Sequence, residues 1–172
     1  MDARPVLELI DAVSAPGGLT FVGIGGRGGA GKSTLAAQIS EAQVVSTDEF
    51  WDGEGFDLPR LRAEVFDPLG AGRDARFASW DWGASRPAGV RTVRPEGIVV
   101  VEGVCALHRM FRHDYDVRVW VDAPHDVRLA RGVARDGEEA RRTWVEHWMP
   151  REDRYIEHDD PVSCADVVVD GG

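Results

Sequence analysis

Eight consecutive residues, Gly26-Arg27-Gly28-Gly29-Ala30-Gly31-Lys32-Ser33, satisfy the phosphate-loop pattern G-x-x-x-x-G-K-[ST] at every position. The run before them, Leu19-Thr20-Phe21-Val22-Gly23-Ile24, is apolar and β-prone, and the run after them, Thr34-Leu35-Ala36-Ala37-Gln38-Ile39, reads as a helix. Strand, glycine loop and helix in that order constrain the fold more than any other feature of the chain. Glycines let backbone N–H groups converge on phosphate oxygens where a Cβ would obstruct them. The helix N-terminus adds unsatisfied donors and partial positive charge. The expectation is a nucleoside triphosphate cradle built from Gly26, Gly28, Gly29, Ala30, Gly31, Lys32, Ser33 and Thr34. In it Lys32 reaches the β- and γ-phosphates and the Ser33 hydroxyl ligates Mg²⁺.

The rest of the chain alternates strand-like and helix-like segments. Apolar positions from Arg4 to Ser14 have helical spacing, and Pro16-Gly17-Gly18 ends that helix. Gln43 to Thr47 reads as a short strand, residues 57–69 as a helix, and 75–94 as an irregular stretch able to form a hairpin. Gly97-Ile98-Val99-Val100-Val101 is a strand buried on both faces, Asp116 to Asp122 another, and Pro124 opens a helix. Residues 138–158 are expected to be helical in two pieces broken near Pro150, and Val167-Val168-Val169 to form a last strand. Such alternation predicts a parallel sheet with helices on both faces, whose ligands bind at the carboxyl ends of strands. Asp48, Glu102 and Asp122 each follow an apolar strand directly.

Composition narrows the partners. Net charge is −10 and Lys32 is the sole lysine; arginines concentrate at 128, 131, 135, 141 and 142. That balance argues against a nucleic-acid polymer, which needs a broad positive face, yet suits a local triphosphate site. No apolar run approaches the ~20 residues that cross a bilayer. Met1 to Pro5 lacks the features of a secretion signal, and Cys105 and Cys164 form no disulfide or zinc pattern, so a cytoplasmic setting is expected. The five histidines show no metal-binding spacing, and 172 residues suit a single domain.

Several fragments together resemble the uridine kinase family of phosphate-loop kinases, with relatives such as nicotinamide riboside kinase and phosphoribulokinase. They are the loop Gly26–Ser33, Thr47-Asp48-Glu49-Phe50-Trp51, Val101-Glu102-Gly103, and the segment from Asp122 to Arg131. The resemblance runs from about Thr20 to Val169. It implies a five-stranded parallel sheet flanked by helices, in one domain spanning 1–172 with a small lid around 131–148. It further implies ATP and Mg²⁺ as cofactors and a small-molecule acceptor. Asp48 then matches the aspartate that accepts the proton of the attacking hydroxyl, Ser33 and Glu102 the groups around Mg²⁺, and Arg131 and Arg135 the lid arginines. Trp80-Asp81-Trp82 matches a segment lining the nucleoside pocket, where Trp51 is a further aromatic candidate for stacking on a base. Lys32, Mg²⁺ and two lid arginines would supply the positive charge that phosphoryl transfer needs.

Departures from the family pattern bear on the acceptor. No histidine follows the Trp80-Asp81-Trp82 segment, and the lid is short, with Arg141-Arg142, Trp144, His147 and Trp148 in place of the familiar spacing. The expected activity is ATP-dependent phosphorylation of a nucleoside 5′-hydroxyl, uridine or cytidine first, with nicotinamide riboside or another metabolite as the alternative acceptor. A nucleotide-dependent regulatory NTPase is the reading from a different class, though the guanine-reading Asn-Lys-x-Asp segment is absent. Within the row Arg128, Arg131 and Arg135, helical spacing gives a shared face; Arg131 and Arg135 are assigned to function and Arg128 to a solvated surface.

Overall fold

The computed structural model describes residues 1–52, 54–81 and 86–172. Its centre is β1 (Leu19–Gly26), which is hydrogen-bonded in parallel to β5 (Gly97–Glu102) on one side and β6 (Val117–Asp122) on the other. Outside these lie β2 (Gln43–Ser46) and β7 (Val167–Asp170), giving the order β2-β5-β1-β6-β7 with every pairing parallel. The expected five-stranded parallel sheet is therefore present.

Side chains alternate across this sheet and build two cores, as the two-residue period of a strand requires. Phe21, Val99, Val101 and Trp120 face one side; Val22, Ile24, Val100, Val119 and Val121 face the other. The second core is closed by α1 (Arg4–Val13) through Val6 and Ile10, and by α2 (Lys32–Ala36) through Leu35 and Ala36. The first is closed by aromatic packing: Phe66 stacks on Phe111 at 4.4 Å and meets Phe21 at 5.0 Å. Trp120 is 2 % exposed, the strand-core role its place in an apolar run suggests; burying a side chain of this class is worth about 1.5–3 kcal/mol or more.

Two helical stretches contain prolines without breaking. In the first, α3 (Leu58–Leu61) passes through a widened turn, Arg62–Phe66, into α4 (Asp67–Gly70), which carries Pro68. After α5 (His125–Asp136) and a tight turn at Glu138–Ala140, the second stretch repeats the device. There α6 (Arg141–Thr143) passes through a widened turn, Trp144–Trp148, into α7 (Met149–Asp159). The Asp67 N–H reaches the Arg62 carbonyl, and the Met149 N–H reaches that of Trp144, each five residues back. A proline lacks a donor and its ring crowds the carbonyl four residues earlier; widening the preceding turn relieves both. The break expected near Pro150 is thus corrected to a continuous helical path.

The stretch 75–94 is a hairpin of β3 (Ala75–Asp81) and antiparallel β4 (Arg86–Val93) with an irregularity at Ser79/Trp80. Trp82, singled out above, lies outside the described residues. The hairpin packs on the first core, where Phe77 meets Phe50 at 5.1 Å. Among the described residues no helix is long and apolar enough to cross a membrane. Because all five main strands run the same way, the carboxyl ends of β1, β2, β5 and β6 open on one edge. Register brings Ser46, Glu102 and Ile24 side by side there.

Candidate active site

β1 delivers the phosphate loop to that edge, and α2 starts from it. Gly31, the residue preceding α2, has φ +106°, a conformation that β-carbon sterics disfavour. Gly29 has φ +75° and lies against the backbone of Arg128, so a side chain would fail there twice over. Lys32 is buried, its Nζ donating to the Arg27 carbonyl at 3.0 Å, which folds the ammonium back over the loop. Burial pulls its pKa down, while the nearby carboxylates of Glu102, Asp48 and Glu152 oppose that shift.

Glu102, the last residue of β5, is buried beside it and accepts a hydrogen bond from the Ser33 hydroxyl at 3.1 Å. Burial pushes its carboxyl above the usual range, with Lys32 acting in the other direction. A hydroxyl and a carboxylate oxygen so placed are hard ligands suited to Mg²⁺, which takes few protein groups and keeps waters and phosphate oxygens for the rest of its shell. Among the described residues no group of three or more His, Cys, Asp or Glu forms another metal cage.

Asp48 sits in a tight turn, Thr47–Phe50, immediately after β2. A reciprocal cap holds the turn: the Ser46 hydroxyl accepts the Asp48 N–H at 3.3 Å, and the Glu49 carboxylate accepts the Ser46 N–H at 3.3 Å. Glu49 also accepts from the Ser79 hydroxyl at 2.6 Å and pairs with Arg91, whose other nitrogen donates to the Val44 carbonyl at 2.7 Å. The hairpin therefore braces the turn that carries Asp48.

Lys32, Ser33, Asp48 and Glu102 line one cavity of about 920 Å³. Its phosphate end is formed by Gly28, Gly29, Gly31, Lys32, Ser33 and Thr34, with Asp48 and Glu102 beside them. Gly26 and Ala30 stand behind the loop rather than in the wall: Ala30 is fully buried in the second core, and Gly26 lies against the Val121 carbonyl. The walls are also aromatic, with Trp51, Phe56, Trp148 and Tyr155, and Arg151 stacked over the Trp51 ring at 5.6 Å. Of the residues assigned to the acceptor, Trp51 lines this space. Trp80 lies on the hairpin strand β3 apart from the lining, and Asp81 ends that strand opposite Arg86. Cys105 also lines the cavity, but burial pushes its thiol up to about 12, leaving it protonated at neutral pH.

Arg131 and Arg135 border the cavity from α5. Arg131 donates to the Gly171 carbonyl at 2.5 Å and to that of Gly29 at 3.4 Å. Arg135 is paired with Asp136 at 2.7 Å and lies over the Trp144 ring at 5.7 Å. Arg128 requires a correction. It is 5 % exposed, with Nε on the Ala123 carbonyl at 3.1 Å and Nη1 3.5 Å from the Glu152 carboxylate. The solvated-surface reading fails because the helix face shared with Arg131 turns toward the loop. Glu152 and Trp144 are residues that sequence reasoning did not assign. Trp144 packs its ring between Gly28 and Gly132 and donates from Nε1 to Asp136 at 2.9 Å.

No family model matches the chain. A uridine kinase from Deinococcus deserti is 28% identical over 184 residues, an alignment covering 88% of this chain and 87% of that protein. The inorganic pyrophosphatase TTM2 of Arabidopsis thaliana is 31% identical over 135 residues, 69% of this chain but 20% of that much longer protein. Among solved structures, one described as a possible uridine kinase from Bacillus stearothermophilus superposes with a TM-score of 0.75 at 22% identity, over 98% of this chain and 97% of that one. Sequence similarity along nearly the whole chain, together with a fold that superposes end to end, supports a uridine kinase-like P-loop kinase family for this protein.

Proposed function

We propose that the protein transfers the γ-phosphoryl group of ATP to a hydroxyl group, most directly the 5′-hydroxyl of uridine or cytidine. The observation that carries this is the convergence of Lys32, the Ser33–Glu102 pair and Asp48 on one cavity whose walls also hold aromatic rings. The acceptor oxygen attacks the γ-phosphorus as the bond from that phosphorus to the bridging oxygen breaks, and ADP leaves with the electron pair. Asp48 orients the hydroxyl and takes its proton late in the transfer. Lys32 neutralises charge on the moving phosphoryl group, and Arg131 and Arg135 do so from the lid around 131–148. Mg²⁺, held by Ser33 and Glu102, would supply further neutralisation when bound.

Trp51, Phe56 and Trp148 line the cavity with aromatic rings, a wall chemistry suited to a base. Arg151 adds a positive charge there, which weighs toward a neutral pyrimidine and against the cationic ring of nicotinamide riboside. The test is ADP release from Mg-ATP in the presence of a panel of nucleosides, vitamins and sugars. Release that depends on uridine or cytidine supports the proposal. Release independent of any acceptor would favour a regulatory NTPase, and a preference for nicotinamide riboside would overturn the reading of Arg151.

A further inference from the structure

Three consecutive residues of the phosphate loop are gripped from outside it. Arg27 pairs with Asp153 at 3.0 Å, the Gly28 N–H donates to Glu152 Oε1 at 2.9 Å, and Gly29 lies on the Arg128 backbone. The middle grip is the unusual one. Glu152 is 8 % exposed and Arg128 5 %, so an ion pair is buried beside a loop expected to receive a polyanion. A carboxylate in that position repels phosphate, and attraction for the ligand therefore does not account for it. Isolated buried pairs also add little net stability, because desolvation offsets their attraction. What the pair does provide is geometry: a fixed acceptor for one backbone N–H of a glycine-rich segment that has few side chains with which to hold itself.

We infer that Glu152 is a positioning residue of the phosphate loop. Its carboxylate, anchored by Arg128, fixes the backbone at Gly28 so that the loop's donors are aimed before nucleotide arrives. Fixing the loop in advance removes an ordering cost from the binding step. Glu152 stands on α7, which also lines the cavity with Arg151 and Tyr155, so the same helix contributes several wall residues. The inference rests on reading this cavity as the nucleotide site.

Two double variants isolate the hydrogen bond. R128M/E152Q and R128M/E152M are both uncharged at these positions and nearly equal in volume, but only the first keeps an acceptor for the Gly28 N–H. Titration with a fluorescent ATP analogue and Mg²⁺, without acceptor, measures Kd for each. R128M/E152Q has lost the Arg128 anchor but keeps the acceptor, and so sets the reference affinity. R128M/E152M should bind about tenfold more weakly at a matching melting temperature, the scale expected for one backbone donor left unpaired. Equal affinities would overturn the inference. Hydrogen exchange on the unsubstituted, nucleotide-free protein gives a readout independent of variant folding: the Gly28 amide should be protected, and exchange at the rate of an open loop would overturn the inference. A parent protein that bound no nucleotide while protecting that amide would instead refute the reading of the cavity.

Discussion

Replacing Gly28 with alanine asks how closely the phosphate loop is packed. Gly28 does not have a positive φ, so alanine brings no backbone strain and the effect is one of space alone. A β-carbon there would stand 2.7 Å from Glu152 Oε1 and 2.8 Å from the Trp144 ring, where ordinary contact begins at 3.4 Å. Neither neighbour can yield cheaply. Glu152 is held by Arg128, and Trp144 is 2 % exposed, wedged against Gly132 and tied to Asp136. The loop must therefore retreat by about 0.6 Å, and since a misplacement of ~1 Å can cost ~10²-fold, turnover should fall about tenfold. Overpacking of this kind costs about 1–3 kcal/mol, which lowers Tm by roughly 2–12 °C for a chain of this size. The assay is steady-state ADP release with the acceptor identified by the panel, alongside thermal melting. Combining G28A with W144F, whose shorter ring vacates the contested space, should recover part of both losses. Parent-like turnover and Tm for G28A, or strictly additive effects in the double variant, would refute the packing argument.

Lys32→Ala removes one preorganised positive charge and should lower kcat by ~10²–10³; a change of only a few-fold would argue against the loop assignment. Asp48→Asn keeps shape but not basicity and should lower turnover by ~10²–10⁴ with nucleotide still bound; unaltered turnover would remove Asp48 from the mechanism. Arg131→Ala and Arg135→Ala should lower kcat more than ATP affinity, whereas Arg128→Ala should chiefly destabilise. Stranding the buried Glu152 carboxylate costs about 3–5 kcal/mol, and a Tm no lower than that of the other two variants would contradict the buried pair. Because the folded-state pKa of Glu102 is raised by burial, its ionised form costs stability that is regained as pH falls below that pKa. Glu102→Gln should therefore raise the metal-free Tm while abolishing the Mg²⁺ response, and in the parent that response should weaken on acidification at a pH above the ~4.3 typical of glutamate. A lower Tm for the variant would reverse the sign of the argument.

What could be read from the sequence was local. The phosphate loop, the five strands and the strand-end positions of Asp48 and Glu102 follow from periodicity and turn chemistry within short windows, while 75–94 reads only as an irregular stretch able to form the hairpin it does. The grip on the loop was not legible, because Gly28 and Glu152 are 124 residues apart and no spacing rule joins them. Trp144 is similar: its place depends on two glycines, Gly28 and Gly132, that lack β-carbons at the same point in space. For Arg128 a signal did exist. Residues 128, 131 and 135 share a helix face that turns toward the loop, which buries Arg128 against Glu152 while Arg131 and Arg135 stay exposed along the cavity. Pro150 misled for a different reason. Treating proline as a helix breaker ignores the option of widening the turn before it, which this chain takes at both Arg62–Phe66 and Trp144–Trp148.

The distribution of charge in the cavity divides fixed from responsive groups. Lys32 and Arg128 are buried and already engaged, the first with the Arg27 carbonyl and surrounding carboxylates, the second with Glu152 and the Ala123 carbonyl. Rearranging either would expose a buried charge without its partner, a cost of several kcal/mol by the usual scale of about 3–5. They are therefore suited to holding the loop's shape and local potential constant. Arg135 stands at the other extreme. Its side chain is 66% exposed, lies over the Trp144 ring and pairs with the adjacent Asp136, an exchangeable surface contact worth about 0–1 kcal/mol. Arg131 is likewise exposed, on backbone carbonyls. A triphosphate would add negative charge to a site that already contains Glu102, Asp48 and Glu152, and beyond the fixed charge of Lys32 the compensation would come from groups that can move at little cost. By that criterion, on the proposed function, the exposed arginines of α5 would answer the nucleotide and the buried one would keep the loop ready for it.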